Sequence, residues 1–242
     1  MTNELLRRQK MKILGLIGGI GPESTIEYYR LLIEFYREKR AGEYPAIIIN
    51  SVDLKRLLAW MAESKLDQVA DYLSLEIERL HRAGADFAAL ASNTPHIVFD
   101  QLRERSPLPL VSIVESACER VQSLGFKTVA LLGTRYTMQA SFYPEVFARA
   151  GINLITPNND EQTYIHTKYL GELLNNQFLS ETRSGILQIV DRLRQQEGVE
   201  AVILGGTELP LLLTGEQHNG IPLLDTTRTH VDVLLRHLSD EL

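Results

Sequence analysis

A chain of 242 residues, 44% hydrophobic and 23% charged, is too long for one small core and suits two modest α/β domains. A net charge of −6 argues against a nucleic-acid surface, and a single cysteine, Cys118, excludes an intramolecular disulfide and a Cys-rich zinc site. No run of about 18 apolar residues offers a membrane span. Residues 1–11 carry charge but lack the apolar stretch of a secretory signal, so they read as an N-terminal extension and the expected compartment is the cytoplasm.

In chain order, KILGLIG (12–18), AIIINSV (46–52), DFAALAS (86–92) and LPLVSIV (108–114) read as buried strands. KTVALLG (127–133), INLITP (152–157), EAVILGG (200–206) and IPLLDT (221–226) read as four more. Segments such as 23–39 and 184–196 lie between them, with apolar residues at helical spacing. Fully apolar strands alternating with amphipathic helices imply parallel sheets covered on both faces. The final VDVLLRHL (231–238) has helical spacing too and is expected to return to the first half.

The pattern repeats. KILGLIG matches KTVALLG at an offset of 115, GADFAALAS matches GVEAVILGG at 114, and LPLVSIV matches IPLLDTT at 113. The repeat predicts two equivalent domains, 12–112 with 224–242 and 113–223. Crevices in such folds open at the carboxyl ends of strands. The loops of interest are therefore 18–22 with 133–137, and 92–94 with 206–208.

GGIGPEST (18–25) follows a strand and opens a helix, which allows close backbone approach around Gly19 and Ile20 and suits an anion at the helix start. It also reads as an ordinary Gly-rich turn, being neither GxGxxG nor a Walker loop. The matched GTRYT offers Thr134 and Thr137 as carboxylate donors. In ASNTPH (91–96), Ser92, Asn93 and Thr94 present hydroxyls and an amide at a strand end, or alternatively cap the next helix. GGTELP (205–210) supplies Thr207 as a donor and Glu208 as the one ionisable group. Ser51, near the end of the second strand, and Asp53, after it, are further candidates; Asp53 would meet a substrate amine or simply sit in a solvated turn. Cys118 lies in a helical pattern and reads as packing.

KILGLIGGIGPEST, ASNTPH, VALLGTRYTM and GGTEL, in this order and spacing, resemble the aspartate/glutamate racemase family from about Lys12 to the C-terminus. The resemblance implies two flavodoxin-like halves about a pseudo-two-fold, an active-site cleft between them, no cofactor, no metal and a homodimer. Such enzymes racemise acidic amino acids with two opposed cysteines, in motifs CNT-x-H and GCTE. Carried over, the first cysteine position is Ser92 and the second Gly206. Neither is a thiol.

A hydroxyl is a poor base unless a His or Lys assists it, and glycine carries no proton. Each lost acid–base partner typically costs 10²–10⁴-fold. His96 could serve as a base or could fix its loop by hydrogen bonds. Glu208 could replace the thiol, although the resemblance implies an orienting role. The expected ligand is an acidic amino acid or similar small carboxylate held by Ser92, Asn93, Thr94 and Thr137, with Thr207 and backbone N–H groups near Gly206. The rival expectations are a catalytically silent binding protein and a thiol-independent lyase, decarboxylase or isomerase.

Overall fold

In the computed structural model, residues 12–239 are described; the extension read over 1–11 and the last three residues lie outside them. The apolar runs become strands of two sheets. The first contains β1 (Ile13–Gly18), β2 (Ala46–Ser51), β3 (Phe87–Leu90) and β4 (Leu110–Val111), ordered β2-β1-β3-β4 and parallel throughout. The second contains β5 (Thr128–Gly133), β6 (Asn153–Ile155), β7 (Ala201–Gly205) and β9 (Ile221–Asp225), in the corresponding order β6-β5-β7-β9. The sequence repeat is thus matched by one topology used twice.

Alternation along the strands sends successive side chains to opposite faces, and helices cover both. In the first sheet Ile17, Ala88 and Leu90 face α2 (Leu54–Ala62) and α3 (Leu66–Arg82). Leu14, Leu16 and Ala89 face α1 (Pro22–Lys39) and α11 (Thr226–Ser239). In the second, Leu132, Val202 and Leu204 meet α8 (Asn159–Gly171) and α9 (Ser180–Glu197). Val129, Leu131 and Ile203 meet α5 (Ile113–Leu124) and α7 (Phe142–Arg149).

Helix α11 leaves the last strand of the second sheet and packs against the first. Val231, Leu234, Leu235 and Leu238 join Leu14, Leu16 and Tyr28 in one buried cluster. His230, fully buried, accepts from the Tyr28 hydroxyl at Nδ1 (2.8 Å), which leaves Nε2 to donate to the Val111 carbonyl (3.2 Å). Truncating a buried leucine such as Leu234 to alanine costs about 2–5 kcal/mol.

Two local features differ from the sequence expectation. The strand expected over 108–114 is confined to 110–111, because the Ser112 hydroxyl accepts from the N–H groups of Val114 and Glu115 and starts α5 there. A ninth strand, β8 (Gln217–His218), pairs antiparallel with β9 and blunts that sheet edge. No helix among the described residues is long and apolar enough to cross a membrane.

Candidate functional site

Four loops at strand carboxyl ends, two from each half, converge on one cavity. Its polar wall is formed by Ser92, Thr94, Thr134, Tyr169 and Glu208, with Ile20 and Gly21 beside them. Leu54, Leu57, Leu58 and Met61 from α2, Val69 from α3, and Leu170 and Leu174 at and beyond the end of α8 supply most of the rest. Among the described residues, no Lys, Arg or His lies on this wall. The space inside it open to a water-sized molecule is about 30 Å³, room for roughly two waters.

The space beside Gly206 is filled from elsewhere in the fold. A Cβ built on Gly206 would lie 2.5 Å from Cε2, 2.7 Å from the hydroxyl and 2.9 Å from Cζ of Tyr169. The tyrosine ring therefore occupies the volume that a side chain at 206 would need. Helical spacing puts it there: Gln162, Ile165 and Tyr169 form the buried face of α8. The Tyr169 hydroxyl donates to Glu208 Oε2. Burial and the neighbouring Glu208 carboxylate push this phenol well above its ordinary value, so it keeps its proton.

Glu208 is 2% exposed, and no ion pair to it is found among the described residues. Hydroxyls replace the missing cation. Ser24, in the first turn of α1, donates to Oε1 (2.6 Å), and Thr207 donates to Oε2 (3.0 Å) beside Tyr169. With both hydroxyl protons directed at Glu208, the 2.6 Å separation of the Ser24 and Thr207 oxygens is a contact rather than a third hydrogen bond, and the shared carboxylate joins α1 of the first half to the β7 loop of the second. Gly21 leaves room for it, since a Cβ there would be 2.9 Å from Glu208 Oε1. Neither Ser24 nor Tyr169 stands out in the sequence; an absent side chain at 206 was the one hint that another group fills the space.

The first-half loop divides its labour. Ser92 and Thr94 line the cavity, and Thr94 meets Thr134 (3.1 Å) and Thr137 (3.4 Å), which are themselves 3.2 Å apart. Thr134 also caps α6 (Arg135–Gln139) by accepting from the Thr137 N–H. Asn93 points inward. Its Oδ1 accepts from Tyr143 (2.6 Å) and its Nδ2 donates to Thr226 (3.1 Å), which in turn donates to the Leu204 carbonyl. The amide is a strut between halves. His96 is also buried: Nε2 accepts from the Ile113 N–H at 3.3 Å and the ring stacks on Phe99. Burial lowers its pKa to about 3, with the nearby His230 adding to the effect; the carbonyls of Ser92 and Asn93 oppose it without reaching hydrogen-bond geometry at Nδ1.

The remaining sequence candidates border the site without lining it. Gly19 has φ +84°, and a Cβ there would strike the Val52 carbonyl at 2.5 Å, so glycine is required to pass the chain over β2. Ser51 is exposed, and Asp53 caps α2 through the Arg56 N–H. Cys118 is buried in α5 against Tyr143 and Phe147, and burial pushes its thiol up.

A sequence model described as Asp/Glu/Hydantoin racemase matches residues 17–234. The chain belongs to this family. A structure of a candidate Asp/Glu racemase from Yersinia pestis superimposes with a TM-score of 0.85 at 32% identity, covering 95% of this chain and 100% of that one. An aspartate racemase homologue from Pyrococcus horikoshii OT3 gives 0.80 at 34% identity, with 95% and 100% covered. Among curated racemases, the broad specificity amino-acid racemase RacX of Bacillus subtilis is 23% identical over 223 residues, 89% of this chain and 93% of its own length. The racemase-family fold is shared nearly end to end, and the cavity lies among the loops that carry the family-like motifs.

Proposed function

We propose that this racemase-family protein binds a small carboxylate, most simply an amino acid, in the cavity between its halves and does not racemise it by the two-thiol route. The observation that carries the reading is the Tyr169 ring in the volume of the missing side chain at 206, with Ser92 on the same cavity wall. The hydroxyls of Ser92, Thr94 and Thr134 are suited to a carboxylate, whose oxygens accept several donors. They are not suited to taking a proton from carbon. A serine needs an adjacent His or Lys to act as a base, the wall carries neither, and His96 commits its Nε2 to the chain at Ile113. Tyr169, held protonated, can donate but not abstract. Isomerase ancestry with ligand binding retained is therefore favoured over a working racemase, and we place the protein in the cytoplasm as a homodimer.

The test is proton NMR in D₂O with both enantiomers of aspartate, glutamate and a neutral amino acid. Saturation transfer from protein to ligand without loss of the Cα proton is the expected result. Rapid loss of that proton from either enantiomer would show a base that this reading denies.

A further inference from the structure

Resting on the carboxylate-binding reading, we infer that the ligand accommodated here carries an apolar side chain, leucine- or methionine-like, rather than the second carboxylate of aspartate or glutamate. Ser92, Thr94 and Thr134 form a compact hydroxyl edge able to engage one carboxylate. Beyond that edge the wall is mostly apolar: Leu54, Leu57, Leu58, Met61, Leu170 and Leu174, joined by Tyr136 and Tyr169. A second carboxylate brought among these side chains loses its water and meets no positive charge. It also enters a cavity that already holds the Glu208 carboxylate, whose donors are Ser24, Thr207 and Tyr169.

Three cations close by in sequence have partners outside the cavity. Arg56 lies over the rings of Trp60 and Tyr72, at 5.5 and 5.7 Å from their centroids. Lys168 pairs with Glu172 at 2.5 Å, and the Arg135 guanidinium reaches Thr163. None lines the cavity. The aliphatic part of the wall, by contrast, is not fully covered by the fold itself: Leu54, Leu58 and Leu174 are half-buried, and Leu170 is 36% exposed. An apolar ligand side chain would extend the burial of these residues, which is the composition expected of a small-molecule site with a few convergent polar groups.

The experiment is calorimetric titration of the full chain with leucine, methionine, glycine, aspartate and glutamate, using both enantiomers of the chiral ligands. Leucine or methionine is expected to bind at least about tenfold more tightly than glutamate, in line with the discrimination that one or two buried methylenes provide. In Leu58→Arg, a change at a half-buried position, leucine affinity is expected to fall and glutamate affinity to rise. Glutamate or aspartate binding more tightly than leucine to the unaltered protein would overturn the inference and leave the carboxylate reading standing. Leucine binding that ignores Leu58→Arg would place the ligand elsewhere and overturn it as well. Binding of no amino acid at millimolar concentration would remove the inference together with the reading beneath it.

Discussion

Replacing Gly206 with cysteine drives a side chain into the Tyr169 ring, and this alone is expected to damage the protein. The new Cβ would lie 2.5 Å from Tyr169 Cε2 and 2.7 Å from its hydroxyl, whereas ordinary carbon contacts begin near 3.5 Å. Tyr169 is 4% exposed and tied to Glu208, so the ring has little room to retreat. Overpacking of this kind costs about 1–3 kcal/mol, and displacing the phenol from a buried carboxylate adds about 1.5–3 kcal/mol. A loss of about 2.5–6 kcal/mol is expected for Gly206→Cys. Tyr169→Ala alone should cost about 3–5 kcal/mol through its cavity. Since both changes concern one volume, the double variant should be less damaged than the sum by at least about 1–2 kcal/mol. Urea unfolding followed by circular dichroism measures all corners of this cycle. Additivity within about 0.5 kcal/mol would refute the claim that ring and thiol compete for one space. The same logic extends to chemistry. Ser92→Cys with Gly206→Cys should leave Cα exchange silent, while adding Tyr169→Ala should allow it to begin.

Acid sensitivity follows from two buried histidines. His96 and His230 are each lowered to about 3 by burial, so between there and the unfolded value near 6.5 the unfolded chain holds the extra protons. Stability therefore rises with pH in this window and is lost as pH falls through about 6.5; at pH 5.5 each histidine contributes about 1.4 kcal/mol of loss relative to pH 7.5. Equal urea midpoints at the two pH values would contradict this. Asn93→Ala strands the Tyr143 hydroxyl without an acceptor and is expected to cost about 2–3 kcal/mol while leaving the cavity hydroxyls in place; a neutral effect on the urea midpoint would deny the strut. Ser24→Ala removes a donor from the buried Glu208 and should cost about 1–3 kcal/mol, read by thermal unfolding at pH 7.5.

The fold was legible in the sequence because its strands are uniformly apolar. KILGLIG and KTVALLG each sit at the centre of a sheet, paired on both edges, and a strand buried on both faces has no polar alternation to confuse it. The exceptions have local causes. Val114 looks like strand but is claimed by a helix that Ser112 caps, and β8 is two polar residues whose only signal is the turn at Asn219 and Gly220, both at positive φ. Ser92, Thr94, Thr134 and Glu208 were legible because strand-end loops in a repeated fold must face a common space. Tyr169 was not, since it lies 37 positions before Gly206 and nothing in a helical YIHTKYLG distinguishes the tyrosine that turns towards the cavity from the one that does not.

Gly206 and the carboxylate at 208 make better sense together than apart. A carboxylate buried without a cation survives only if hydroxyls or amides surround it. Ser24 and Thr207 reach Glu208, and the third donor is the Tyr169 phenol, which approaches only because residue 206 has no side chain. The bare backbone at 206 therefore makes room for a fixed donor to Glu208. The resulting network joins α1 to the β7 loop through one buried carboxylate.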